Sequence, residues 1–127
     1  MAGTIVADTI QDGAGNSTAM DNAIYGSAKA WVNFNGSTAV IRASYNVSSI
    51  TRTAAGTYYL NFTNALVDAN YIGIAQVANP ASTGNLQPIA MGNGGGGQST
   101  TQYNVITTQA SGYSYADQTY VWVVIFR

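Results

Sequence analysis

Residues 44 to 66 read SYNVSSITRTAAGTYYLNFTNAL. Alternating side chains run to Ala54, a lone glycine, Gly56, interrupts them, and the alternation resumes at Thr57. A period of two is the signature of a strand, and two such runs around a glycine-bearing break form a hairpin. On the second run Tyr58, Leu60 and Phe62 share one face, opposite Thr57, Tyr59 and Asn61. The polar positions are amides, hydroxyls and one arginine, Arg52, with no carboxylate. This is sheet that packs, with little that moves a proton.

The pattern extends in both directions. In AKAWVNF (28 to 34), Ala28, Ala30, Val32 and Phe34 oppose Lys29, Trp31 and Asn33. NGS at 35 to 37 is a hairpin turn signal. TAVIRASYNV (38 to 47) reads as one strand, with Ala39, Ile41, Ala43, Tyr45 and Val47 on one face and Val40, Arg42, Ser44 and Asn46 on the other. NYIGIAQVA (70 to 78) is a further strand, where Gly73 marks a bulge or a close contact. TQYNVITTQ and QTYVWVVIF (101 to 109 and 118 to 126) follow, the last apolar on both faces and so suited to cover on both sides. Between them, residues 79 to 99 hold both prolines and the run GNGGGG, and no regular element is expected through that run. Six or seven strands with short turns predict an all-β chain: a single antiparallel β-sandwich, jelly-roll-like, over residues 26 to 127.

The head, residues 1 to 25, reads as a short extended arm. GTIVADTI suits a short strand or extended chain, QDGAGNSTAMD is turn chemistry, and a short helix over Met20 to Tyr25 would be capped by Thr18 or Asp21. Ile5, Val6 and Ile10 have no partner strand nearby in sequence, so the arm is expected to anchor the chain to another subunit or a larger particle.

Composition removes most chemistries. The 127 residues contain no cysteine, no histidine and no glutamate, and only 7% are charged, for a net charge of −1. Thiolate and imidazole metal ligands and the commonest general base are therefore missing. Four cations, Lys29, Arg42, Arg52 and Arg127, are too few to neutralise a phosphate backbone, so no nucleic-acid partner is expected. No apolar run approaches the roughly 20 residues that span a bilayer. The first residues lack a basic segment followed by an apolar one, so no signal peptide is expected. The five aspartates, Asp8, Asp12, Asp21, Asp68 and Asp117, sit beside small or polar residues and read as turn caps rather than a catalytic pair. DGAGN (12 to 16) is too poor in oxygen ligands for a calcium loop, and GNGGGG lacks the Lys-Ser/Thr and helix of a phosphate loop. Four N-X-Ser/Thr triplets, at Asn16, Asn35, Asn46 and Asn61, are expected by chance in a chain this rich in Asn, Ser and Thr. The expectation is a non-enzymatic protein with no metal and no cofactor.

What remains is contact chemistry. SGYSYADQTY (111 to 120) has the composition of a binding surface, with tyrosines for rigid area and Ser and Gly for adaptability. Tyr113 and Tyr115, with Gln98 and Gln118, are the candidate ligand-binding residues, suited to a glycan because tyrosine offers a face and a hydroxyl and an amide offers donor and acceptor together. The loop of 79 to 99 and the tyrosine stretch are expected at one end of the molecule, away from the arm.

AKAWVNFNG followed by AVIRASYNVSSITRTAAGTYYLNFTNALVDANY, residues 28 to 36 and 39 to 71, resembles the tail-fibre and related virion proteins of tailed bacteriophages. In that family a KAWVNF strand leads to an NVSS strand, a Gly-Tyr hairpin and an ANY segment. The head, GTIVADTIQDGAGNSTAMDNAIYGSAKAW, is similar to the segment preceding this module. The resemblance implies a viral structural protein, localised to the virion and homotrimeric. Fibre chains usually carry this module at the end of a long shaft, whereas here it starts near Met1, so a stand-alone tip or ornament is expected. Three functions stay open at this point: a fibre or tip protein that recognises host-surface glycan, a capsid decoration protein bracing the shell, and a cellular β-sandwich lectin.

Overall fold

A computed structural model describes residues 3–78, 90–92, 98–109 and 114–127. The all-β expectation holds: the strands pair antiparallel in every sheet, and the single α-helix among the described residues is seven residues long. One four-stranded sheet joins β3 (Ala28–Asn35), β4 (Val40–Tyr45), β7 (Ile72–Ala78) and β10 (Tyr120–Phe126) in the order β4-β3-β10-β7. The other joins β5 (Val47–Ala54), β6 (Thr57–Phe62), β8 (Ala90–Gly92) and β9 (Gln102–Thr107) in the order β5-β6-β9-β8. Each hairpin, β3–β4 and β5–β6, stays within one sheet.

The alternation seen in sequence builds one core from both sheets. Ala30, Val32 and Phe34 of β3 and Val121, Val123 and Ile125 of β10 meet Tyr58, Leu60 and Phe62 of β6 and Tyr103 and Val105 of β9. Phe34 and Tyr58 pack edge to face with ring centroids 5.2 Å apart. Gly73 is the close contact, not the bulge: the β7–β10 register is unbroken, and a Cβ at Gly73 would run into the Tyr103 ring.

The run of 38 to 47 is not one strand. The ladder to β3 slips at Arg42, so Ile41 pairs with inward Phe34 while Ala43 and Tyr45 pair with outward Asn33 and Trp31. One extra residue thus moves Tyr45 to the outer face. Asn46 then adopts a left-handed φ of 54° and carries the chain into the other sheet. Its side chain stabilises that geometry: Nδ2 donates to the carbonyls of Lys29 and Asn64, each at 3.1 Å, and Oδ1 accepts from Asn64 N–H at 2.8 Å.

The head is more structured than an extended arm. β1 (Thr9–Gln11) and β2 (Ser17–Ala19) form a small hairpin, followed by α1 (Met20–Gly26). Asp12 caps the turn as expected, accepting from Ala14 N–H and Asn16 N–H at 2.9 Å each. The helix starts at Ala19 without a side-chain cap; Thr18 instead accepts from Asn22. A second difference is β8, which pairs with β9 inside the segment read as a long loop. The head leaves the body at Ala28, the same end as Phe126 and Ile72. This is the arm end, and the turns at 36 to 39 and 55 to 56 define the far end.

Candidate functional site

The far end is built on Asp117. Its carboxylate accepts from Arg52 Nε at 3.0 Å and Arg52 Nη2 at 2.7 Å, from Tyr58 Oη at 2.6 Å and from Gly56 N–H at 2.9 Å. The fork of a guanidinium fits two carboxylate oxygens at once, and this one ties β5 to a segment 65 residues away. The Arg52 guanidinium holds the Asp117 carboxyl down to about 2. Burial, with the hydrogen bond to Asp117, pushes the Tyr58 phenol well up. Asp117 is therefore a cross-link between the β5–β6 hairpin and the terminal segment, not the turn cap expected from its neighbours. Gly56, at φ 64°, lets the turn lie against this segment, since a Cβ there would sit 2.5 Å from Ala116 N. Thr107 N–H donates to Gly56 O at 2.8 Å, and Thr107 Oγ1 donates to Ala116 O at 2.5 Å.

On this support residues 114 to 118 fold back along β9. Gln109 N–H donates to Ser114 O at 2.8 Å, and Tyr115 bridges to Thr108. Tyr115 is 56% exposed. Tyr113 lies outside the described residues. Gln118 is buried, and its Nε2 donates to Thr108 O at 2.9 Å. Gln98 is at the other end: its Nε2 donates to Ala69 O at 2.7 Å and Tyr71 O at 2.9 Å, beyond the start of β9. The six residues of β9, about 20 Å of strand, separate Gln98 from Tyr115 and Gln118. The structure thus brings Tyr115 and Gln118 to the far end, away from the arm, and leaves Gln98 at the arm end. Ala78 and Ala90, which flank residues 79 to 89, are level with Tyr120 and Thr107 at the far end.

At the arm end, Asp68 pairs with Arg127 through Nε at 2.7 Å and caps Asn70 N–H at 2.8 Å. Arg127 first, and Asn70 N–H second, hold the Asp68 carboxyl down to about 2. A groove of about 580 Å³ lies between α1, β4 and residues 65 to 67, with Tyr25, Tyr45 and Arg127 on its walls.

The outer face of the β4-β3-β10-β7 sheet is open in the single chain. The apolar back of β10 is half-exposed, not covered: Trp122 and Val124 stand beside Trp31 and Ile74 around a shallow groove of about 320 Å³. Arg42 lies over the Tyr120 ring at 4.2 Å and donates to Thr119 O at 2.8 Å. Comparison with protein-family models, with curated proteins and with solved structures gives no match.

Proposed function

We infer that the chain is a non-enzymatic structural protein of a tailed-phage virion, a two-sheet sandwich that assembles as a homotrimeric fibre or tip and presents its far end to host-surface glycan. The observation that carries the assembly in this reading is the uncovered apolar surface on both the sheet and the head, and the virion part rests on the resemblance of residues 28 to 71 to tail-fibre proteins. Ile72 and Ile74 are 67% and 55% exposed, and Ile5 and Val6 are 87% and 93% exposed. A chain with 7% charged residues has little charge to keep such surface apart in solution, and burying it between copies resolves the conflict. The charged groups of the far end support the same reading. Asp117, Arg52 and Tyr58 satisfy one another, which suits a rigid platform for Tyr115 rather than acid–base work.

A capsid decoration role is the second reading. It is favoured by the amides of Gln98 and Gln118, which serve backbone carbonyls and leave Tyr115 as the exposed member of the expected set among the described residues. Quantitative mass spectrometry of purified particles separates the two. A fibre or tip protein is present in few copies per particle and a decoration protein in hundreds. Absence from particles refutes both.

A further inference from the structure

We propose that the outer face of the β4-β3-β10-β7 sheet receives the N-terminal segment, residues 3 to 26, of a second copy of this chain. This contact rests on the self-assembly reading and names its interface.

The face offers apolar area to a partner. Its large side chains carry about 150–250 Å² each, so the exposed parts of Trp31, Val40, Tyr45, Ile72 and Ile74 come to roughly 500 Å². The half-exposed Trp122 and Val124 add to that. A stable interface takes about 800 Å² from each partner, so the apolar part of this face would supply more than half of one side.

The head offers apolar groups to a partner as well. A two-stranded hairpin is marginal by itself, and so is a helix of two turns. Here every residue of β1 and β2 is exposed, α1 buries none, and the helix packs against β1 and β2. Its apolar groups Ile5, Val6, Ile10 and Ile24 are left in water by their own chain.

The two surfaces also complement each other in charge. The four strands of the face contain Lys29 and Arg42 and no carboxylate; residues 3 to 26 contain Asp8, Asp12 and Asp21 and no cation. Such pairing aligns partners and disfavours face-to-face contact between two cationic sheets. The reach is sufficient, because residues 3 to 8 are irregular and span about 20 Å when extended, more than the roughly 15 Å width of four strands. A contact of head to sheet is heterologous, so repeating it around a rotation axis closes a ring of copies.

The test uses the full chain with charges placed at exposed positions, where the fold tolerates them. Ile72→Asp/Ile74→Asp alters the face, Ile5→Asp/Val6→Asp alters the head, and Tyr115→Asp, exposed at the far end outside both, is the control. Sedimentation velocity at micromolar concentration reads the mass, and far-UV circular dichroism reads the fold. The wild type and the Tyr115→Asp chain are expected to be associated. The face and head variants are expected to sediment as folded single chains. Mixing those two variants restores one good head and one good face, and is expected to restore association of the pair. Association that survives in the head variant but not in the face variant overturns the proposal, because the face then meets something other than the head. Association surviving in both also overturns it while leaving the assembly reading intact. A monomeric wild type removes the assembly reading and the interface with it.

Discussion

Replacing Asp117 by Asn keeps the shape of the far-end cross-link and removes its charge. The magnitude follows from the titration of the carboxyl, which the Arg52 guanidinium depresses from about 3.9 in an unfolded chain to about 2. Fully converted, that difference is about 2.5 kcal/mol; with a fifth of the side chain still in water, solvent screening reduces it to about 1.5–2 kcal/mol. For a chain of this length that lowers Tm by about 6–8 °C. A depressed carboxylate contributes stability above its unfolded pKa and loses it as pH falls towards its folded pKa. The wild type therefore loses this share between about pH 5 and pH 2, and Asp68, also held at about 2, adds to the same slope. Urea denaturation followed by tryptophan fluorescence, at matched protein concentration, checks the difference near neutral pH and near pH 2. The gap between wild type and the Asp117→Asn variant is expected to be large at neutral pH and to shrink at low pH. A neutral-pH difference below about 0.5 kcal/mol, or a gap of the same size at both pH values, refutes the cross-link as the source of stability.

Tyr58→Phe removes a single hydrogen bond to that carboxylate and is expected to cost about 1–2 kcal/mol in the same assay, with a non-additive double variant with Asp117→Asn. Gly56→Ala is expected to cost about 3 kcal/mol or more, because the left-handed φ and contact with Ala116 N both oppose a Cβ; a Tm within a few degrees of wild type would contradict the turn geometry. Asn46→Ala is expected to lose about 2 kcal/mol, read by thermal denaturation, since the left-handed turn then stands without its three side-chain hydrogen bonds. Tyr115→Ala is expected to leave Tm within about 2 °C and to weaken adsorption of particles to host cells; unchanged adsorption favours the decoration reading.

The core is legible in the sequence because β3, β6 and β10 bury alternate residues, and period two marks that face. Tyr58, Leu60 and Phe62 fall inside as their alternation requires, as do Val32 and Phe34. Gly73 is legible only as a bulge or a close contact, and the Tyr103 ring against it decides for the contact. The failures have one cause, namely contacts between residues distant in sequence. Nothing local marks Arg42 as a bulge, yet that one residue turns Tyr45 outward. Asp117 reads as a turn residue because its partners, Arg52, Gly56 and Tyr58, lie about 60 positions away. Glutamines 98 and 118 read as free amides for the same reason, since the carbonyls they serve come from other segments. The apolar back of β10, expected from its sequence to be covered, is half-exposed in the single chain.

Sedimentation equilibrium of the unmodified protein tests most directly whether this chain works as an assembly, because the method returns mass without reference to shape. The expected mass at micromolar concentration is three times the 13.2 kDa of one chain. A single-chain mass across that range, with the fold intact, would contradict the assembly.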